Sequence, residues 1–206
     1  TAHNAGDPSD AATNGFSNFT VGYLERLSET ADIDLQASDS ITLDLQGDTL
    51  DVQDNNSIRL KTTNAGATIS DDSSGTIRTD QGNISITAAT GANSDINLTQ
   101  TNLEATNGGV VDLEATGNID LEQISALNLG TVSGAEVSIQ TTGAAADVTL
   151  NNIVTASAAG DALTIASGRN FINNHGSGAL SASNGRFLVY SADPGADTRG
   201  GQAFNF

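Results

Sequence analysis

The 206-residue sequence lacks cysteine, and its few prolines and aromatic residues lie near the ends. Without cysteine, the chain has no disulfide framework and no thiol chemistry. The prolines are Pro8 and Pro194, and no aromatic residue occurs between Leu24 and Asn170. A middle free of proline is what an uninterrupted ladder of strand hydrogen bonds requires. An interior of stacked aliphatic side chains leaves little room for rings, so both absences favour a long stacked β-structure.

Basic residues are also scarce. Lys and Arg total 7 against 25 Asp and Glu, which gives a formal net charge of −18. Such a surface repels nucleic-acid phosphates and anionic lipid, so the sequence predicts no nucleic-acid partner and no membrane insertion. No apolar run approaches the length of a membrane span. The segment Thr1–Asp10 lacks the basic and apolar regions of a signal peptide, and we expect the chain to be a piece of a longer protein.

The sequence is rich in one repeated phrase, a glycine followed two residues later by an apolar–polar–apolar triplet. Steps of 26 residues from Gly82 lead to Gly108, Gly134 and Gly160. The triplets that keep this stride are Ile33–Leu35, Ile58–Leu60, Ile84–Ile86, Val111–Leu113, Val137–Ile139, Leu163–Ile165 and Phe187–Val189. Alternating apolar and polar residues predict strands with one face buried. Self-similarity at this period predicts a solenoid.

Two further sets of triplets lie between those of the first and keep the same stride. The second set is Ile41–Leu43, Ala67–Ile69, Ile96–Leu98, Ile119–Leu121, Val148–Leu150 and Phe171–Ile172; the third is Leu50–Val52, Ile77, Leu103, Leu127–Leu129, Ile153–Val154 and Leu180. Three short strands per repeat predict a right-handed parallel β-helix with three strands and about 26 residues per coil. Six coils at about 4.8 Å each give a body about 30 Å long.

The pattern divides the chain into three parts. Residues 1–30 are expected to form a polar tail and an entry or cap segment, with a strand over Gly15–Gly22. Tyr23–Thr30 could form one helical turn or a loop across the open end, and we favour the loop. Residues 31–186 are expected to form the coils. Residues 187–206 begin with a strong strand that should pair with Leu163–Ile165 and cap the end, since terminal repeats must be atypical. Because Pro194 removes a hydrogen-bond donor, Ala196–Phe206 is expected to leave the helical path.

Stacking also places charges opposite one another on the outward side of the coils. Arg59 is expected beside Asp34, and Arg78 between Asp51 and Glu104, each at the distance of a cross-strand pair. We interpret both arginines as local charge compensation on an acidic surface. They are not predicted to bind a ligand.

One outward group of carboxylates is a candidate for chemistry. In the predicted register Asp95, Asp120, Glu122 and Asp147 form a patch on the second face, suited to paired acid/base catalysis or to Ca²⁺. No Lys or Arg lies between Arg78 and Arg169, and no aromatic ring is near, which argues against a lyase or a glycosidase. We therefore predict no catalytic, cofactor-binding or metal-binding residues, and leave open whether the patch binds calcium.

The C-terminal part resembles a segment of filamentous-haemagglutinin-like bacterial surface proteins. The residues that carry the resemblance are Phe187–Pro194 and Asp197–Gly201, preceded by Phe171–Asn174 and Ala179–Arg186; the Gly-Asn-Ile-x-Ile phrases are also similar to the shaft of that family. The resemblance implies two-partner secretion, a cell-surface or secreted location, and partners among surface glycans, surface proteins and an outer-membrane secretion protein. The expected function is a non-enzymatic shaft segment of an adhesin or fibre. The alternative is a carbohydrate-active or carbohydrate-binding β-helix.

Overall fold

The chain forms a parallel β-solenoid of about 6 turns with roughly 26 residues per turn, which confirms the predicted fold class. The computed structural model describes residues 17–88 and 91–203. In this part the secondary structure is nearly all β, with 54% of the residues in strands and one short helix. Apolar residues at every second position of each strand point to a common interior, and the polar residues between them face outward.

The elements follow one another closely along the chain. In order they are α1 (Val21–Ser28), β1 (Ile33–Ala37), β2 (Ser40–Leu43), β3 (Thr49–Val52), β4 (Ile58–Thr62), β5 (Thr68–Asp71), β6 (Gly75–Asp80), β7 (Ile84–Ala88), β8 (Asp95–Leu98), β9 (Thr101–Thr106), β10 (Val111–Ala115), β11 (Ile119–Gln123), β12 (Leu127–Gly134), β13 (Val137–Thr141), β14 (Val148–Leu150), β15 (Val154–Ser167), β16 (Phe171–Asn173) and β17 (Leu180–Ser191).

Three faces run along the first half of the solenoid. The first face contains β1, β4, β7 and β10, the second contains β2, β5, β8 and β11, and the third contains β3, β6 and β9. All pairs on these faces are parallel. As far as β10, β8 and β9, paired residues lie 25 to 28 positions apart in the chain. This part follows the predicted stride.

The predicted division into inward and outward residues is confirmed. The inward residues that are no more than 1% exposed include Ile84, Ile86, Val111, Leu113, Val137, Ile139, Leu163 and Ile165. The outward positions Ser85, Asp112 and Ser138 remain partly exposed. The interior is therefore a stack of Ile, Leu and Val rows, whose burial is the main stabilising contribution to such a fold.

The predicted stacking of these rows is wrong beyond Val111, because one coil is short. Val137 pairs with Ile119, 18 residues earlier, and not with Val111. Val111 instead pairs with Leu129 on β12, also 18 residues away. The chain thus omits about one strand and one corner, and each later triplet lies one face away from its predicted place. From here the second face continues through β13, β15 and β17.

The side chain of Gln123 takes the place of the omitted strand beside β9. It is 3% exposed, and its Oε1 accepts a hydrogen bond of 3.0 Å from the backbone N–H of Leu103. Its Nε2 donates to the carbonyls of Ser125 and Ala126, at 3.1 and 3.2 Å. A primary amide carries the same donor and acceptor as a peptide group, so it can satisfy a strand edge where no backbone passes.

The N-terminal end begins with a helix, which corrects the loop expected over Tyr23–Thr30. Thr20 caps α1, because its side chain accepts a hydrogen bond from the backbone N–H of Tyr23. The strand expected over Gly15–Gly22 is also wrong for residues 17–22, which form no strand; Gly15 and Phe16 lie outside the described residues. A capping hydroxyl ahead of Val21 and Leu24 suits a helix, since these two side chains share one face.

The C-terminal strand is confirmed, but the predicted path after it is not. On β17, Phe187 pairs with Leu163 and Val189 with Ile165. After the turn at Pro194 the chain resumes the coil, since Thr198 forms a parallel bridge with Ile172. The departure predicted for Ala196–Phe206 is therefore wrong as far as Ala203, and Phe204–Phe206 lies outside the described residues.

Candidate functional site

The predicted acidic patch does not assemble. Asn97 on β8 pairs with Asp120 on β11, as expected. The next strand on this face is β13, which places Ser138 beside Asp120 and Gln140 beside Glu122. Asp147 precedes β14, which pairs with β12 and β16 and not with β11 or β13, so the short coil removes Asp147 from the group. Among residues 17–88 and 91–203, no group of three or more Asp, Glu, His or Cys side chains is placed to hold a metal ion.

Asp147 instead forms an ion pair with Arg169 one coil further along. The Nε of Arg169 donates to Oδ1 of Asp147 at 2.6 Å, and a terminal guanidinium nitrogen contacts Oδ2. The backbone N–H of Asn170 donates to Oδ1 at 3.0 Å. The hydrogen bonds from Arg169 lower the pKa of Asp147 below its ordinary value, against the opposing effect of burial. The carboxylate of Asp147 therefore links two neighbouring coils.

Asp95 is also used within the fold. Its Oδ1 accepts a hydrogen bond of 2.6 Å from the backbone N–H of Asn118. Asp71 receives three such bonds at the next corner, from Thr99, Gln100 and Thr101, at 3.2, 2.8 and 2.7 Å. Hydrogen bonds from backbone N–H groups to a carboxylate are charge-assisted and stronger than those between neutral groups. Part of the large negative charge therefore has a structural role at the corners, where the backbone N–H groups of one coil lack strand partners.

The other charged pairs join neighbouring coils, as the sequence predicts. Arg59 lies 3.3 Å from Asp34, and Arg78 lies 3.0 Å from Glu104. A further pair, which the sequence reasoning did not identify, joins Arg186 to Asp161. The hydrogen bond from Arg186 lowers the pKa of Asp161.

A pocket of about 660 Å³ with mixed polar and apolar lining opens at the N-terminal end, between α1 and the first coils. Its aliphatic walls and polar rim are formed by Asn18, Phe19, Thr20, Val21, Gly22, Leu24, Leu35, Leu43, Asp44, Leu45, Gln46, Asp48, Leu50, Ile58, Leu60 and Ile77. The repeat pattern of the sequence does not predict this pocket. Its signal was the run of leucines in the first coil, Leu35, Leu43, Leu45 and Leu50, which line the pocket.

Comparison of the chain with protein-family models, curated proteins and solved structures finds no match. The resemblance to filamentous-haemagglutinin-like proteins therefore stays a prediction. Among the described residues, no helix has the length and apolar character needed to cross a membrane.

Proposed function

We propose that this solenoid is a shaft segment of a bacterial surface or secreted fibre, and that its role is structural and not enzymatic. The observation that supports the proposal is the way in which outward charged groups are used. Arginine–carboxylate pairs and carboxylate caps link each coil to the next, as at Arg169 with Asp147 and at Asp71 with the corner that begins at Thr99. Side chains in these links are directed at the neighbouring coil.

The same observation weighs against the alternative of a polysaccharide-cleaving enzyme. Paired acid/base catalysis needs carboxylates that are free to exchange protons with a substrate. Asp95 and Asp147, two of the four predicted candidates, accept hydrogen bonds from the backbone or from arginine. The remaining two, Asp120 and Glu122, have Ser138 and Gln140 as neighbours on β13, and neither neighbour is a charged group that would bind an acidic sugar.

The length of the stacked body follows from the spacing of its strands. Six inter-strand spacings separate β2 from β17 along the second face. At about 4.8 Å each, they span about 29 Å. We propose that this stack of coils serves as a shaft. The proposed location is secreted or on the cell surface. The proposed partners are surface glycans or proteins, together with the outer-membrane secretion partner of a parent protein.

The mechanical part of the proposal is tested by measuring stiffness. The chain has no native cysteine, so spin labels attached at Thr42→Cys and Leu188→Cys report one distance across the stack. A stiff shaft gives a narrow distribution near the inter-strand distance of about 29 Å, widened only by the label arms. A pair at Thr42→Cys and Ser70→Cys, which are partners on adjacent strands, is the control for label width. A long-distance distribution much wider than the control contradicts a rigid shaft.

The non-enzymatic part is tested separately with acidic polysaccharides. We expect no release of reducing ends and no unsaturated products at any pH between about 4 and 9, since Asp95 and Asp147 are hydrogen-bonded within the fold and the strand partners of Asp120 and Glu122 include no basic side chain. Product release that disappears in Asp120→Asn with Glu122→Gln would overturn this part and assign the activity to the second face. The matched control is Asp34→Asn, a carboxylate on another face.

A further inference from the structure

Two Asn–Gly pairs lie within the described part of the chain, and the structure places them in different surroundings. They are Asn107–Gly108 and Asn184–Gly185. In such a pair the backbone nitrogen of glycine can attack the side-chain carbonyl carbon of asparagine, because glycine has no Cβ to obstruct the approach. The attack requires the peptide between the two residues to rotate. Its rate in the folded protein therefore depends on how tightly that peptide is packed.

Asn107 and Gly108 form an exposed tight turn between β9 and β10. Their φ angles are +50° and +102°, and the backbone N–H of Gly109 donates to the carbonyl of Thr106 at 2.9 Å. Two positive φ angles and this hydrogen bond define a type I′ turn, for which Asn-Gly is a favoured pair. Among the described residues, a Cβ added to Gly108 would meet nothing within 4 Å beyond its chain neighbours, and the N–H of Gly108 bonds no acceptor. The peptide that must rotate therefore has room to do so.

Asn184 and Gly185 lie inside β17, where they pair with Ala159 and Gly160 on β15. A Cβ added to Gly185 would lie 2.6 Å from the carbonyl oxygen of Gly160 and 2.8 Å from that of Ala158. The backbone of Gly185 is thus packed directly against the coil below. Rotation of this peptide requires local opening of the strand. The same dipeptide is open to reaction at Asn107 and closed at Asn184.

The amide of Asn107 also links two coils. Its Nδ2 donates to Oδ1 of Asp80, in the coil below, at 2.6 Å. The corners are stacked at this place, since Asn55, Gln81 and Asn107 have φ angles of +66°, +66° and +50°. The backbone N–H of Gln81 donates across the stack to the carbonyl of Thr106 at 3.0 Å. A carboxylate in place of the amide would lose the donor and would bring two like charges together, which is unfavourable.

We propose that Asn107 is a site of spontaneous deamidation, and that its product loosens the corner between β9 and β10 from the coil below. The nitrogen of Gly108, after loss of its proton, bonds to Cγ of Asn107. The Cγ–Nδ2 bond breaks, and ammonia leaves with the proton that the nitrogen gave up. Water then opens the cyclic imide at either carbonyl, which yields aspartate or isoaspartate without any oxidation or reduction. This reaction does not depend on the proposed shaft role.

The test follows both sites in the full-length protein during incubation in mildly alkaline buffer, because the nitrogen attacks after losing its proton. Cleavage after glutamate yields the peptide 105–114, in which Asn107 is the only amide side chain. Cleavage after lysine and arginine yields the peptide 170–186, which contains Asn184. Mass spectrometry with fragmentation measures the conversion of each amide to an acid. We expect conversion at Asn107 to be at least about tenfold faster than at Asn184, since Asn184 reacts only through local opening.

The unfolded chain is the control for intrinsic reactivity. In urea both Asn–Gly pairs lose their surroundings, so Asn107 and Asn184 are expected to react at similar rates. The matched variant is Asn107→Gln, which keeps an amide but would need a larger ring, and the peptide 105–114 should then show no conversion. The pair Asn14–Gly15 lies outside the described residues, and its products fall in a separate peptide.

The variant Asn107→Asp represents the product and tests the loosening. The backbone N–H groups of Gln81 and Gly109 both donate to the carbonyl of Thr106. We expect their hydrogen exchange, measured by nuclear magnetic resonance, to be at least about fivefold faster than in the wild type, since a hydrogen bond to a charged group is lost. Asp80→Asn combined with Asn107→Asp should restore slow exchange, because one donor and one acceptor again face each other.

The control for the added charge is Asn93→Asp. Asn93 lies at an exposed corner with φ of +62°, and its side chain forms no hydrogen bond among the described residues, so this variant should exchange like the wild type. Conversion at Asn107 that is no faster than at Asn184 in the folded protein would overturn the assignment of the site. Unchanged exchange in Asn107→Asp, or no recovery in the double variant, would overturn the loosening.

Discussion

The short coil makes the stability of the solenoid depend on the side chain of Gln123. This residue is 3% exposed and lies where a strand would otherwise follow β9. The change Gln123→Leu keeps a side chain of similar size but removes both hydrogen-bonding groups. The backbone N–H of Leu103 and the carbonyls of Ser125 and Ala126 then lose the partners that they have at 3.0, 3.1 and 3.2 Å.

The expected loss follows from the cost of unsatisfied buried groups. Each buried donor or acceptor left without a partner costs about 1–3 kcal/mol. Leaving the N–H of Leu103 unsatisfied has the full cost, because Leu103 is 0% exposed. The carbonyls of Ser125 and Ala126 share the single amide donor group of Gln123, so the loss of their hydrogen bonds adds a smaller cost. We therefore expect Gln123→Leu to lower the free energy of unfolding by about 2–5 kcal/mol. The exposed Gln140 on the next coil provides the control, since Gln140→Leu removes no buried hydrogen bond.

The variant Gln123→Glu tests the direction of the hydrogen bonds. The Glu side chain keeps one oxygen that can accept the hydrogen bond from the N–H of Leu103, but its second oxygen faces the carbonyls of Ser125 and Ala126. It can donate a hydrogen bond to these carbonyls only when the carboxyl group is protonated. Burial and these carbonyls raise the pKa of the introduced Glu above its unfolded value of about 4.3. Its stabilising contribution is therefore present below about pH 4 and is lost as pH rises through the folded pKa. Gln140→Glu should show no such dependence.

Urea unfolding followed by far-ultraviolet circular dichroism measures these effects. We expect a clear fall in the urea midpoint for Gln123→Leu and a small change for Gln140→Leu. Equal losses for the two leucine variants, within about 0.5 kcal/mol, would show that Gln123 does not replace the missing strand. So would a Gln123→Glu variant whose stability relative to Gln140→Glu does not depend on pH.

Three other expectations follow from the stacked coils. Gly168→Ala should destabilise by about 1–3 kcal/mol, because its Cβ would overlap the carbonyl oxygen of the glycine one coil below, whereas Gly22→Ala in α1 meets open space and should be neutral or slightly stabilising. Because pairing with Arg169 lowers the pKa of Asp147, the ionised carboxylate should stabilise the fold above about pH 4, and this contribution should fade as pH falls through the folded pKa. The variant Asp147→Asn should flatten that part of the dependence of stability on pH. A profile that is the same in this variant and in the wild type would contradict the assignment. Chelation or addition of calcium should leave the thermal midpoint unchanged, since the predicted acidic patch is dispersed; a rise of several degrees with calcium would refute this.

Much of the fold could be predicted from the sequence because local chemistry decides it. The alternation at Ile84, Ser85 and Ile86 requires one face in and one face out, and the structure agrees. The stride of about 26 residues requires stacking, and it places Arg59 beside Asp34 and Arg78 beside Glu104. These inferences depend on neighbours in one strand or on coils of regular length, where nothing remote intervenes.

The sequence contains a local signal for the helix at the N-terminal end, although we expected a strand and a loop there. Thr20 is a good capping residue, and Val21, Leu24 and Ser28 lie at helical spacing, with Leu24 and Ser28 buried. The short length of the segment and the β-rich remainder of the chain favoured a loop. The end of a solenoid has no coil below it, so a different element can cover it there.

What only the tertiary structure decided is which triplet stacks on which after Val111. A shift by one face leaves every inward residue inward, because all three faces present the same apolar–polar–apolar pattern. The apolar–polar alternation of the sequence is therefore compatible with either register. The register that forms moves Asp147 away from Asp120 and Glu122. It is decided by contacts between coils, such as the hydrogen bonds of Gln123 to β9, which satisfy the backbone groups that a shortened coil leaves without a strand.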